Sequence, residues 1–258
     1  MISIKSPQEI KTMAEGGRIL ATVMKEISKK AVPGITTKEL DGLAESLILK
    51  SGAKPSFKGY QNFPAATCIS INDELVHAAP SERALKSGDI VSLDLGLVWQ
   101  GFNLDMAVTL PVDKVSPEAQ RLIRATKKAL KRGIKKIRPG NTVGDIGNTI
   151  QRYVEGQGYN VVRDLCGHGI GRELHEDPQI LNFGKRRSGA ELAEGMVLCL
   201  EPMVTAGDWK LKKCADGFGY KTADGSLSAH FEHTVAVAEN GPVVLTNSVL
   251  CDILTIVK

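Results

Sequence analysis

A chain of 258 residues with 42% hydrophobic and 24% charged side chains has enough apolar material for a full core, which excludes a disordered or fibrous polymer. No apolar run approaches the roughly 20 residues that a membrane helix needs, and the opening MISIKSPQEI lacks the pattern of a signal peptide. A net charge of +4 is too small to imply nucleic-acid binding by itself, and five cysteines without a CxxC pair argue against a disulfide scaffold or zinc knuckle, so free thiols and a cytoplasmic location are expected.

The first helix is predicted to open at Ser6, with Pro7 at the first helical position and Glu9 closing a capping box, and to stop before Pro33-Gly34. A second opens at Thr36 in TTKE and ends near Gly52. Two strands follow, SLDLGLV and FNLDMAVTL, the latter with strict period-two alternation, joined by a Gln100-Gly101 turn. Any even-numbered loop there puts Asp94 and Asp105 on one sheet face, about 5–8 Å apart. Residues 116–158 repeat the helical plan: SPEA opens a helix, Pro139-Gly140 closes it, Thr142 starts the next and Gly158 ends it. DLCGHGIGRELHEDP (164–178) then sets His168 between Gly167 and Gly169, with His175 seven residues on. Such glycines belong either to a core loop with incidental imidazoles or to backbone cleared away from something that must come close. VLCLE is predicted as a strand ending on Glu201, and SAHFEHTVAVAENGPVVLT as a hairpin turning at Asn240-Gly241.

Pro33, Gly34, Thr36 and Gly52 recur as Pro139, Gly140, Thr142 and Gly158, and SGDIVSLD (87–94) matches EGMVLCLE (194–201). His77-x-x-Pro80 has an echo in His175-x-x-Pro178. The spacing is too long for a solenoid and implies duplication: an α+β fold with a pseudo-two-fold axis, its halves at about 1–113 and 114–258, and its site where the halves meet. Asp94 and Asp105 on adjacent strands would repel, so they either face solvent or share cations. Glu201 stands at the repeat position equivalent to Asp94. Four carboxylates, Asp94, Asp105, Glu201 and Glu232, gathered with one imidazole would be untenable in a core without cations. Two divalent ions would neutralise them, and an oxygen-rich set with one histidine suits Mn, Fe, Co or Zn, as in a dinuclear hydrolase. The basic clusters Lys127–Arg138, Lys185–Arg187 and Lys210–Lys213 read as solvated faces, with weak docking on an RNA-rich surface as the alternative.

GHGIG (167–171) with His175, the pair Asp94 and Asp105, GMVLCLEP (195–202) and HFEHT (230–234) together resemble the methionine aminopeptidases of the bacterial, single-domain kind, across nearly the whole chain. The resemblance implies a single catalytic domain over 1–258 with the duplicated pita-bread fold, an antiparallel sheet covered by helices. It also implies a metal-dependent exopeptidase that removes the initiator methionine from nascent polypeptides when the second residue is small. By position, Asp94 would hold one divalent ion, His168 and Glu201 the other, and Asp105 and Glu232 both, with a water or hydroxide between the ions as nucleophile. Glu201 would double as general base, His175 would contact the scissile peptide, and His77 would bond the substrate on the leaving-group side. The methionine side chain would sit near Phe57, Tyr60, Phe63, Cys68, Leu174 and Phe218. Family precedent is a monomer, and the WKLKK stretch (209–213) is a candidate for transient ribosome docking.

Three positions depart from the family pattern: Leu174 stands where Phe is common, His230 where Gln is common, and Ala78 where Gly is frequent. They bear on selectivity and metal preference and remove no expected ligand. Prolidases and X-Pro aminopeptidases are the nearest rivals, but the extra N-terminal domain they carry has no counterpart before the first helix here. A non-catalytic relative would be expected to have lost ligands. GHGIG fails the dinucleotide pattern because Arg172 occupies the third glycine position.

Overall fold

The computed structural model describes residues 2–247; Cys251, one of the five cysteines, lies outside them. Capping chemistry sets the helix starts. Ser6, Thr36, Ser116 and Thr142 each accept a bond from the backbone N–H three residues on, and Glu9, Glu39 and Asp145 return it to the cap. The helices so opened are α1 (Pro7–Lys30), α2 (Thr37–Lys50), α3 (Pro117–Ile134) and α4 (Val143–Glu155). Gly52 and Gly158, two residues past α2 and three past α4, take φ of 81° and 82°, the left-handed conformation that favours glycine beyond a helix end. The duplication thus extends to backbone angles.

The first half contributes β1 (Lys54–Pro55), β2 (Thr67–Ile71), β3 (Glu74–Val76), β4 (Ile90–Trp99) and β5 (Phe102–Pro111). The second contributes β6 (Asn160–Val161), β7 (Gly167–Gly169), β8 (Glu176–Ile180), β9 (Val197–Leu200) and β10 (Met203–Thr205). After these come β11 (Leu211–Lys213), β12 (Tyr220–Thr222), β13 (Ser228–His230), β14 (Glu232–Ala238) and β15 (Gly241–Val244). Among the described residues, nine strands form one sheet in the order β1-β4-β5-β14-β9-β7-β8, with β2 also on β4 and β15 on β14. Outward from its centre the sheet reads β5, β4, β2 on one side and β14, β9, β7 on the other, so the pseudo-two-fold passes between β5 and β14. All of its pairings are antiparallel. The α+β class and the helix-covered antiparallel sheet are as expected.

α1 lies on β4 and β5, and α3 reaches β9, β10 and β13. Leu20, Met24 and Ile27 are fully buried on the inner face of α1. Gly16 lets α1 approach closely, since a Cβ there would sit 2.7 Å from Leu104 Cδ2. Gly133 plays the same part on α3, against Leu200 Cδ2 at 2.9 Å.

Gln100 and Gly101, at φ 50° and 81°, form the two-residue turn that aligns Trp99 with Phe102, as expected. Three local expectations are corrected. The last hairpin pairs Ala238 with Gly241, so its turn is Glu239-Asn240 and not Asn240-Gly241. Glu201 lies one residue past β9, and the strand drawn through SAHFEHT breaks at Phe231. The physical cause of both breaks is Pro202. His233 pairs with Leu200 and His230 with Met203 in one continuous register, which sets Pro202 opposite Phe231, and proline has no N–H to give the ladder.

Gly167 and Gly169 also have a different reason from the one expected. A Cβ on Gly167 would overlap the Cys199 carbonyl, and one on Gly169 the Asp177 carbonyl. It is neighbouring main chain, not a substrate, that approaches them. Gly169→Ala should therefore lower the unfolding free energy by about 2 kcal/mol, the scale of core overpacking, in a urea titration; an unchanged midpoint would show that β7 has room to move.

Candidate metal centre

Side chains two apart on a strand share a face, and partners across a ladder share a level. Cys68 pairs with Asp94, Asp94 with Ala107, and Ala107 with Glu232. Glu201 follows Leu200, the partner of His233, and so stands level with Glu232. The adjacent row, two residues along, runs through Gly96, Asp105, Thr234, Cys199 and His168. Its one gap, between β5 and β14, is closed by the Thr234 hydroxyl, which accepts from the Asp105 N–H at 3.0 Å and donates to the Asp105 carbonyl at 2.8 Å. Two rows on one face thus hold all five expected ligands, Asp94, Asp105, His168, Glu201 and Glu232.

Candidate ligand atoms of Asp105, His168, Cys199 and Glu232 lie within 4.8 Å of one another, and all four residues are buried. His168 Nε2 is 3.6 Å from Glu201 Oε1. His168 Nδ1 bonds the Gly169 carbonyl at 2.8 Å. A carbonyl only accepts, so Nδ1 carries the proton and the Nε2 lone pair faces the carboxylates. Burial also drives the His168 pKa down to about 3, so the ring is neutral and able to ligate.

Burial lifts Asp94 to about 6, against the pull of His230 and of a hydrogen bond with Asp105. Asp105 is pushed well above the usual carboxylate range by burial and then by the charges of Glu232, Asp94 and Glu201. Glu201 rises through burial and Asp94, and Glu232 through burial, Glu201 and Asp94. Asp94 Oδ1 and Glu232 Oε1 are buried without a hydrogen-bond partner among the described residues. Four carboxyls strained in this way, with unpartnered oxygens and a neutral imidazole aimed among them, are a donor set that fits two divalent cations.

A cavity of about 270 Å³ opens beside this cluster and is lined by all six expected pocket residues, Phe57, Tyr60, Phe63, Cys68, Leu174 and Phe218, as well as by His77 and His175. The Phe63 and Phe218 rings meet edge to face at 5.4 Å. Phe57 lies across Gly96, where a Cβ would sit 2.6 Å from Phe57 Cε1. His175 Nδ1 bonds the Tyr60 hydroxyl at 2.8 Å, and its ring is 4.4 Å from that of His168. His77 adopts φ 59°, a strained backbone for a non-glycine residue, and burial lowers its pKa to about 4.

Gln61, Leu165, Lys213 and Tyr220 also line the cavity; Gln61 and Tyr220 lie outside any periodic segment or motif, and Leu165 and Lys213 lie in DLCGHGIGRELHEDP and WKLKK with nothing there to mark them as cavity residues. Lys213 Nζ stands 4.0 Å from the Tyr220 ring centroid and bonds the Phe218 carbonyl at 3.2 Å, so this lysine of WKLKK belongs to the cavity. Cys199 was also missed. Its thiol lies within 4.8 Å of a Glu232 carboxylate oxygen and 3.7 Å from the Thr234 hydroxyl, and the alternation of VLCLE, which puts Cys199 and Glu201 on one face, was the available signal. His230 was expected on the same strand as Glu232; it shares the face but sits on β13, with Nε2 4.0 Å from Glu232 Oε2.

Residues 11–239 match the model of metallopeptidase family M24. A methionine aminopeptidase of Clostridium perfringens is 49% identical over 246 residues, spanning 95% of this chain and 99% of the relative. The crystal structure of a methionine aminopeptidase from Thermotoga maritima superposes with a TM-score of 0.94 at 45% identity, covering 96% of this chain and all of that one. An Xaa-Pro dipeptidase from Bacillus anthracis is more distant, with a TM-score of 0.77 at 25% identity, and this chain spans 62% of its length.

The raised carboxyls set a pH dependence. Each holds its proton when folded at a pH where the unfolded chain has released it, so its contribution is lost as pH rises through its folded pKa. The histidines pull the other way below their unfolded value of about 6.5, because folding depresses their pKa. Between about pH 6.5 and 8.5 the raised carboxyls dominate, and above that the raised thiols of Cys68 and Cys199 act in the same direction, so the metal-free protein should lose Tm as pH rises, and a divalent cation should flatten the slope. Asp105→Asn should raise the metal-free Tm at alkaline pH. A metal-free Tm that climbed over this range in a melting series would contradict the cluster as described.

Proposed function

The chain belongs to metallopeptidase family M24 and, within it, to the methionine aminopeptidases; on that premise we propose that it removes the N-terminal methionine of nascent polypeptides whose second residue is small. The observation that carries this reading is the joining of an aromatic-lined cavity to a cluster of four carboxylates, three of them buried. Asp94 would hold one divalent cation and His168 with Glu201 the other, while Asp105 and Glu232 serve both. Cobalt, manganese, iron and zinc all suit these donors. When bound, the cations offset the buried negative charge, lower the pKa of water and polarise a peptide carbonyl.

The protein's own groups do the rest. Glu201 accepts a proton on its carboxylate. In the tautomer in which the Tyr60 hydroxyl donates to His175 Nδ1, the ring proton sits on Nε2 and is available to the carbonyl of the bond being cut. His77, on the other wall, bonds the substrate on the leaving-group side. Phe57, Tyr60, Phe63, Cys68, Leu174 and Phe218 receive the thioether, which packs well on aromatic rings and sulfur.

Residues 1–258 act as one catalytic domain whose halves, about 1–113 and 114–258, meet at β5 and β14. The protein works as a monomer in the cytoplasm. Among the described residues no helix is long and apolar enough to cross a membrane. Lys210 and Lys212, which are exposed on the connection around β11, dock the enzyme weakly on the ribosome. Lys213 faces the cavity and is left out of this surface.

Stripping with a chelator should abolish cleavage of Met-Ala peptides, and a single divalent cation should restore it, with Met-Lys peptides uncut throughout. His168→Ala and Asp105→Ala should each lower kcat/KM by about a thousandfold or more. A stripped protein that stays fully active, or Met-Ala left uncut under every cation, refutes the activity. For docking, the Lys210→Gln, Lys212→Gln double variant should co-sediment less with ribosomes at low salt while cleaving free peptides normally; unchanged sedimentation removes that surface.

A further inference from the structure

His230 is 2% exposed, and neither of its ring nitrogens has a hydrogen-bond partner among the described residues. A buried polar group without a partner calls for a cause. Its position is not an accident of a loose loop. His230 stands level with Thr109, on a third row of the same sheet face that runs through Ser70, Ser92 and Thr109. The Thr109 hydroxyl accepts from the His230 N–H at 2.8 Å and donates to its carbonyl at 2.8 Å, and the Ser92 hydroxyl supports Thr109 at 2.8 Å. This clamp fixes the backbone and aims the ring at the carboxylates.

His230 Nε2 lies 3.6 Å from Glu201 Oε2 and 4.0 Å from Glu232 Oε2. Both distances are too long for a hydrogen bond. Both lie within the roughly 2.8–4.2 Å that separates two donors on one cation when each bond is about 2.0–2.2 Å. His168 Nε2 stands at the same 3.6 Å from the other oxygen, Glu201 Oε1. Two neutral imidazoles therefore bracket the Glu201 carboxylate, one at each oxygen.

We propose that His230 is a sixth protein ligand, its Nε2 binding the cation held by Glu201 and Glu232. The inference rests on the two-cation reading above and adds a second nitrogen to a set otherwise made of one imidazole and four carboxylates. A nitrogen-richer set favours cobalt, zinc or iron over manganese or magnesium. It also gives Nε2, one of the two unpartnered ring atoms, a partner, and it leaves the ring proton on Nδ1.

The test is proton NMR of the full-length, cobalt(II)-loaded protein with 15N-labelled histidine, counting the hyperfine-shifted, solvent-exchangeable imidazole N–H signals. Wild type should give two, and His168→Gln and His230→Gln should each remove a different one. His230→Gln should also weaken cobalt(II) binding by about tenfold or more and manganese(II) binding by less than about threefold, with the metal-free melting temperature as the check on folding. A single wild-type signal, lost in His168→Gln and kept in His230→Gln, overturns the sixth ligand and leaves the two-cation reading intact. No shifted signal at all overturns both. Equal weakening of cobalt and manganese assigns His230 to packing and also overturns the proposal. The wild-type count decides the matter even if a variant fails to fold.

Discussion

Mutual repulsion among Asp94, Asp105, Glu201 and Glu232, all on one face of one sheet, is the constraint around which the structure is arranged. Buried carboxylates at this spacing cannot all ionise without counter-charge. The elevation of all four carboxyls is the physical sign that the face is built for a cationic guest. Rigidity is what keeps such a cluster from relaxing. Each carboxylate stands on or beside a β-ladder whose register is shared with its neighbours, and the Thr234 and Thr109 hydroxyls bridge the places where main-chain pairing fails.

Duplication explains where the cluster sits. The sheet is nearly palindromic about the β5–β14 seam, so equivalent strands bring their side chains to the same central face. Asp94 and Asp105 arrive from the first half, and His168, Glu201 and Glu232 from the second. The halves are not equal in detail. β4 runs unbroken for ten residues, whereas its counterpart β9 stops at Leu200, where Glu201-Pro202 interrupts the ladder. That interruption leaves Glu201 and Glu232 level at the break, with His230 just beyond it.

The cavity follows from the same face. Gly96, on the row that carries Asp105 and His168, leaves space for Phe57 to cover the sheet. The aromatic wall therefore begins where the carboxylates end. His77 and His175, both neutralised by burial, stand at the boundary between the apolar and charged parts. A substrate with an apolar side chain next to a cleavable peptide fits that division.

Much of this was legible in the residues alone. Capping residues gave the four helix starts, and period-two alternation with an even turn put Asp94 and Asp105 on one face. The matched positions in the two halves revealed the duplication, and the family resemblance carried by the ordered motifs singled out five residues that the sheet gathers on one face and six that line one cavity. These signals are local or repeat-borne, and such signals survive in one dimension. Tertiary structure decided what depends on which strands become neighbours. It placed β7 between β8 and β9, so that Gly167 and Gly169 make way for the Asp177 and Cys199 main chain and not for a substrate. It set Pro202 opposite Phe231, splitting a strand that looks continuous in SAHFEHT. It brought Cys199 against Glu232, Lys213 into the cavity and His230 beside Glu201, residues joined only by cross-strand level and by loops without periodicity. Sequence fixes the order and face of side chains along a strand; only pairing between strands fixes their level, and level determines which charges meet.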